Sequence, residues 1–230
     1  MSSVAVIGAN GYVGSALYQE LLRSAKYSVV GVTRENYSAM KERDFDIIIN
    51  CAMPSARFWA KNHPEEDFVE TVKKTADLLY GWKFKKFIQI STVSARCQLD
   101  TVYGRHKLAA ENLCDFGDNL IVRLGALYGE SMKKGVLFDM LEGKKVFVDK
   151  ASRYSFISVS FCASWMASNL DRHGMVELGG KNAIAIGDVA KHMQANVEFD
   201  GAINHQDIES AEENLPEAAR VLDFIDKIKR

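Results

Sequence analysis

The most constraining stretch of the chain is its opening, Val4-Ala5-Val6-Ile7-Gly8-Ala9-Asn10-Gly11-Tyr12-Val13-Gly14. An unbroken apolar run of this kind reads as a strand buried on both faces, as in the middle of a parallel sheet. Three glycines follow at i, i+3 and i+6, and residues 12–24 then place Val13, Leu17 and Leu21 on one helical face. Strand, glycine turn and helix together offer backbone N–H groups and a helix N-terminus to an anion. Gly8 permits the tight turn off the strand. Gly11 lets the backbone approach a pyrophosphate, and Gly14 allows close packing of helix on strand. The spacing is GxxGxxG rather than GxGxxG. Its place between a first strand and a first helix is what points to a dinucleotide site, with Asn10, Tyr12 and Val13 beside the glycines.

The strand–helix rhythm continues. Strands are predicted at Tyr27–Val32, Asp46–Asn50, Phe87–Ile90 and Leu120–Arg123, and helices at 65–80, behind Pro64, and at 103–116. This order predicts an α/β fold with a doubly wound parallel sheet of Rossmann type. Beyond about residue 125 the pattern loosens. Short helices are expected at 133–143, 159–170, 187–196 and 216–229. Short strands are expected at Val146–Val148, Tyr154–Ile157 and Ala183–Ile186. The chain reads as one NAD(P)-binding domain over 1–230, with segments 126–160 and 175–215 forming a small substrate-covering annex.

Composition narrows the function. A net charge of −1 over 230 residues leaves no basic footprint for nucleic acid or an anionic membrane. No apolar run is long enough to span a bilayer, and Val4–Ile7 is too short for a signal peptide. Cys51, Cys97, Cys114 and Cys162 show no CxxC or metal spacing. They are read as buried apolar residues of a cytoplasmic protein. The five histidines likewise show no ligand spacing, so no metal is expected. Lys83, Lys85 and Lys86 are read as a solvated loop.

Two further signals bear on chemistry. After the second strand stand Thr33-Arg34, with Arg34 twenty residues beyond Gly14, where an acid would bind a ribose 2′-hydroxyl. A guanidinium suits a 2′-phosphate instead, so NADP(H) is preferred and NAD(H) is the alternative, Glu35 being an acid one position late. Tyr103-x-x-x-Lys107 places a phenol and an ammonium on one helical flank. The lysine is expected to lower the phenol's pKa and prepare it for proton transfer at a carbonyl or hydroxyl. The same spacing occurs at Tyr37–Lys41, but that pair follows the second strand, on the adenosine side. The hydroxyl run Ser91-Thr92-Val93-Ser94 ends the fourth strand, and Thr92 is the chosen hydrogen-bonding partner for the substrate oxygen.

These ordered motifs resemble the extended short-chain dehydrogenase/reductase family, the NAD(P)-dependent nucleotide-sugar epimerase, dehydratase and reductase group. The resemblance rests on Gly8-x-x-Gly11-x-x-Gly14, Asp46–Ala52, Ile90-Ser91-Thr92 and Tyr103-x-x-x-Lys107. It extends to Ala109-Ala110-Glu111 and Val122–Gly129. It implies that Gly8, Gly11, Tyr12 and Val13 line a diphosphate, and that Ala52 and Met53 face the cofactor. Tyr103 would be the acid/base, Lys107 its partner and a ligand of the nicotinamide ribose, and Thr92 the catalytic hydroxyl. Val93 and Ser94 stand where the family's dehydratases carry acidic residues, which argues against elimination. Ser94 and Arg153 are candidate substrate contacts. The expected activity is NADPH-dependent reduction of a carbonyl, of a keto-sugar nucleotide or a related small polar substrate. A nucleotide-sugar epimerase and a non-catalytic NADP(H) sensor are the alternatives. The helix at 103–116 leaves a homodimer open.

Overall fold

The structure, a computed structural model, describes residues 1–229. In chain order it runs β1 (Ser3–Ile7), α1 (Tyr12–Ser24), β2 (Ser28–Val32), α2 (Tyr37–Lys41), β3 (Asp44–Asn50), α3 (Arg57–Asn62) and α4 (Pro64–Phe68). A π-helical turn (Val69–Lys73) leads into α5 (Lys74–Gly81), β4 (Lys83–Thr92), α6 (Ser94–Cys97), α7 (Val102–Cys114) and β5 (Leu120–Leu124). Then come β6 (Leu127–Tyr128), α8 (Val136–Leu141), β7 (Arg153–Tyr154), β8 (Ile157–Ser158), α9 (Val159–Ser168) and β9 (Gly174–Leu178). The chain closes with β10 (Ile184–Ala185), α10 (Ile186–His192) and α11 (Arg220–Ile228).

Two compact units result: Met1–Arg123 with Cys162–Val176, and Leu124–Phe161 with Glu177–Arg230. The first is built on a six-stranded sheet of order β2-β1-β3-β4-β5-β9. β1 pairs in parallel with β2 and β3, and β3 with β4. The order reverses at β1, because β2 lies on one side of it and β3 on the other. Such a switch point leaves a crevice at the carboxyl ends of the strands. Val4, Ala5, Val6 and Ile7 are all buried, as a central strand requires. Ile7 is level with Val32 on one neighbour and Asn50 on the other, so the glycine loop starts where all three strands end.

The core of this unit gathers Ile7, Ile48, Leu78, Trp82, Phe87 and Ile121. Each large side chain so buried contributes roughly 1.5–3 kcal/mol. The second unit has its own core, including Leu137, Met140, Tyr154, Phe156, Ile186, Val189, Val221 and Ile225. Its sheets are two-stranded pairs, β10 with β7 and β6 with β8.

Several boundaries differ from the sequence reading. Lys83, Lys85 and Lys86 lie in β4, not in a loop. Lys85 pairs with Asp46 at 2.8 Å and Lys83 with Asp44 at 3.8 Å, so the polar end of β4 is held to the polar end of β3. Lys85, together with the Ser3 N–H and hydroxyl, holds the Asp46 carboxyl down at about 2. β9 has no counterpart in the sequence reading, because Glu177 interrupts its short apolar run. The helix expected at 65–80 is α4, a π turn and α5. Val146 makes only an isolated bridge, to Phe199. Cys97 is exposed and Cys51 half-buried, whereas Cys114 and Cys162 are buried as expected.

α7 is bound to the sheet by a buried ion pair. Arg123 Nε lies 3.0 and 3.1 Å from the two oxygens of Glu111, and Arg123 Nη2 lies 2.6 Å from Oε2. Asn119 adds a second tie. It accepts the Phe87 N–H at 2.9 Å and donates to the Cys114 carbonyl at 3.2 Å. Removing one member of a buried pair strands the other charge. Glu111→Ala is therefore expected to lower unfolding stability by about 3–5 kcal/mol in urea titration, and replacing both partners with apolar residues by much less.

Candidate active site

The glycine loop is defined by close approach. Gly8 has φ of +80°, a conformation that favours glycine, and its N–H donates to the Val32 carbonyl at 2.9 Å. A Cβ on Gly8 would lie 2.9 Å from Cα of Ala52, and one on Gly14 would lie 2.2 Å from the Gly8 carbonyl oxygen. The packing expected of Gly14 thus falls on the loop's own backbone, with the Cys51 side chain next. Asn10 and Gly11 are exposed. Gly11 is the N-cap of α1; no side chain caps the helix there, and its first turn holds no acid. Uncapped N–H groups and an absence of negative charge fit a diphosphate. Tyr12 opens the helix with its hydroxyl buried and unpartnered among the described residues, and burial pushes its pKa up, with Cys162 adding to the effect.

At the end of β2 the turn is set by a residue the sequence reading passed over. Asn36 Oδ1 accepts the Thr33 N–H at 2.8 Å, and its Nδ2 donates to the Gly31 carbonyl at 2.9 Å. Arg34 sits in this clamped turn, exposed. An Asn two residues beyond an arginine at a strand end is a readable turn signal.

At the end of β3, Ala52 and Met53 are positioned by a polar network in the core. Asn50 Nδ2 donates to Gln89 Oε1 at 3.1 Å and to Thr75 Oγ1 at 3.4 Å, while its Oδ1 accepts the Ala52 N–H at 3.1 Å. Gln89 Nε2 reaches Met53 Sδ at 2.9 Å. Asn50, Thr75 and Gln89 are fully buried. A satisfied buried network specifies one loop geometry, because breaking any member leaves an unpaired polar group.

The hydroxyl run and the tyrosine helix meet. Thr92 ends β4, and its side chain lies near enough to Tyr103 to act on the phenol. Thr92 Oγ1 also accepts the Ser94 N–H at 3.2 Å and lies 3.3 Å from Ser94 Oγ. Ser91 is buried, with its hydroxyl unpartnered among the described residues. Thr101 caps α7 by accepting the Gly104 N–H at 3.0 Å. Gly104 is required by packing, because a Cβ there would lie 2.1 Å from the Gln98 carbonyl oxygen. Tyr103 and Lys107 are both buried, with Lys107 Nζ 5.3 Å from the ring centroid and over its face. The phenol's pKa is raised overall, against the expectation from the sequence. Loss of water pushes Tyr103 up to about 12; Arg57 and the Thr92 side chain oppose the rise, and Asp67 adds to it.

The remaining candidates divide between the units. Ser94 is buried at the start of α6, beside Thr92. Arg153 lies in the second unit, where its guanidinium stands 3.9 Å from Asp207 and its N–H donates to His205. Tyr37, of the second Tyr-x-x-x-Lys pair, accepts the Trp82 indole N–H at 3.2 Å. Arg57 and Asp67 were not anticipated from sequence. No motif marks them, and only helix packing brings them to Tyr103.

Comparison with known proteins identifies the fold and the family. In solved structures, the fold matches a dTDP-4-dehydrorhamnose reductase from Clostridium acetobutylicum with a TM-score of 0.78 and 16% identity, covering 99% of this chain and 100% of that one. It matches the Bacillus anthracis reductase of the same name, solved in complex with NADP, with a TM-score of 0.78, 16% identity and full coverage of both chains. A UDP-galactose 4-epimerase matches with a TM-score of 0.77 and 18% identity over 99% of this chain and 98% of that one. A comparison with curated protein sequences found no match. The model of the NAD dependent epimerase/dehydratase family matches residues 4–160, which cover the glycine loop, the hydroxyl run and the tyrosine helix, and the chain belongs to that family.

Proposed function

We propose that this chain is an NADPH-dependent reductase of a carbonyl compound, of the keto-sugar nucleotide class, with Tyr103 as proton donor. The observation that carries this reading is the buried tyrosine of α7 with Lys107 Nζ over its ring and the Thr92 hydroxyl of β4 acting on its phenol. Gly8, Asn10, Gly11, Tyr12, Val13 and Gly14 would hold the diphosphate. Thr33 and Arg34 would hold the 2′-phosphate, Ala52, Met53 and Ser91 would border the rest of the cofactor, and Lys107 would bind a ribose hydroxyl. NADPH, when bound, supplies the hydride. Thr92 orients the substrate oxygen, and Tyr103 gives that oxygen its proton. The phenolate left behind is favoured by the cations of Lys107 and Arg57. Similarity to the two reductases supports this choice, and similarity to the epimerase keeps the second reading in the experiment.

Three outcomes are expected. Purified protein incubated with NADPH and a panel of keto-sugar nucleotides should oxidise the cofactor in proportion to alcohol formed. Interconversion of sugar epimers without net oxidation would select the epimerase, and tight cofactor binding with no turnover would select a sensor. Tyr103→Phe should lower kcat by at least about 100-fold, the scale of general acid catalysis, with NADPH affinity by fluorescence titration nearly unchanged. Arg34→Ala should weaken NADPH by about 10-fold or more, the scale of one charge-assisted phosphate contact, and leave NADH nearly unaffected.

A further inference from the structure

Two parts of the candidate cofactor site are held by different means. The glycine loop is fixed by backbone alone, because the Val32 carbonyl accepts the N–H groups of Gly8 and Ala9 at 2.9 and 3.2 Å. The turn after β2 is closed by one side chain. Asn36 Oδ1 accepts the Thr33 N–H at 2.8 Å, and Asn36 Nδ2 donates to the Gly31 carbonyl at 2.9 Å, so a single amide brackets Arg34 and Glu35. The strand end that it grips is tightly packed. A Cβ on Gly31 would lie 3.0 Å from Cβ of Ala9 and 3.3 Å from Cζ of Tyr18, which sets β2 hard against the glycine loop and α1. Beyond the turn, the Asn36 carbonyl accepts the Met40 N–H at 2.9 Å, and the Tyr37 hydroxyl accepts the indole N–H of the buried Trp82 at 3.2 Å. The turn is thus anchored at both ends, and Asn36 joins them.

Arg34 and Glu35 are exposed within this frame. Although adjacent and opposite in charge, they pair neither with each other nor with another side chain among the described residues. An unpaired guanidinium on a closed turn suits an anion, because binding has no ion pair to break and little backbone left to order. We propose that Asn36 is the positioning residue for cofactor choice: by closing the turn it holds the Arg34 guanidinium where a ribose 2′-phosphate arrives, and so sets the preference for the phosphorylated cofactor. The proposal rests on the reading of Arg34 as the ligand of that phosphate.

Both polar atoms of the Asn36 amide are engaged by the turn's own backbone, so the effect on a ligand passes through Arg34. Without the amide, the Thr33 N–H and the Gly31 carbonyl turn to water, and the turn is closed for only a fraction of the time. Apparent affinity for a ligand that needs the closed turn falls by that fraction, and two hydrogen bonds of ordinary net strength make the fall about 10-fold. The glycine loop keeps its own bonds to the Val32 carbonyl, so a dinucleotide without the 2′-phosphate is held as before.

The test is calorimetric titration of the full chain with NADP+ and NAD+, which differ only in the 2′-phosphate. Asn36→Ala should weaken NADP+ by about 10-fold and leave NAD+ nearly unchanged. In an Arg34→Ala background the same substitution should change neither, because the group it positions is gone. An equal loss for both dinucleotides, an unmoved NADP+ affinity, or an undiminished loss in the Arg34→Ala background overturns the proposal. A general loosening of the site would give the first or the third of these. Should Asn36→Ala fail to fold by circular dichroism, Asn36→Ser, with one polar atom in place of two, is judged by the same criteria. No substrate is present, so the result is independent of carbonyl reduction. If Arg34→Ala abolishes the preference for NADP+ and Asn36→Ala leaves it intact, Arg34 remains the phosphate ligand and this proposal alone falls. If Arg34→Ala leaves the preference intact, the reading of Arg34 falls first and the proposal with it.

Discussion

The contact between Gly14 and the Gly8 carbonyl governs much of the first unit's geometry. A single Cβ at Gly14 would sit 2.2 Å from that oxygen, so α1 can begin where it does only because the position has no side chain. The loop is fixed in turn by the Val32 carbonyl, which accepts the N–H groups of Gly8 and Ala9 at 2.9 and 3.2 Å. Cys51 N–H donates to the Ile7 carbonyl at 2.9 Å and closes the other side. An uncapped helix end results, pinned to three strand termini. Its N–H groups are held in place by covalent geometry and backbone hydrogen bonds rather than by a mobile side chain.

The rest of the candidate site is held by buried polar groups, each with a reason to be there. Asn50, Gln89 and Thr75 order the segment after β3, and the Glu111–Arg123 pair anchors α7 to β5. Their cost in desolvation is recovered only when every partner is present, so they specify one geometry more than they add stability. The same desolvation acts on Tyr103 and raises its pKa, an effect that outweighs the Arg57 cation. A lysine four residues along a helix is thus no guarantee of a low phenol pKa. Its ammonium lies over the ring face, where it acts on the π system as well as on the oxygen.

The elements that were legible share a physical property. β1, β3 and β5 each carry an apolar run (Val4–Ile7, Ile47–Ile49 and Leu120–Val122), and α1 and α7 have clear amphipathic or motif signatures, so local pattern and tertiary burial agree. β9 and the amino half of β4 were missed because their polar residues answer to partners elsewhere in the chain. Lys85 is exposed, yet it belongs to a strand whose neighbour supplies Asp46. The glycine loop and the Tyr103–Lys107 spacing were readable from sequence because a covalent interval sets their geometry. The contribution of Asn36 was readable in principle from turn chemistry. Arg57 and Asp67 were not, because their role depends on α3 and α4 packing on α7, which no sequence interval encodes.

By itself, the sequence determined the alternation of strand and helix, the glycine turn at the first strand's end, and the presence of a tyrosine and a lysine on one helical flank. These follow from side-chain periodicity and from the conformations open to glycine, both local properties of the chain. Only the tertiary structure decided the strand order, with its reversal at β1. It alone brought Thr92 near Tyr103 and buried the phenol, which raises its pKa. Those outcomes depend on which distant surfaces exclude water from one another, and that is a property of the packed chain rather than of any segment of it.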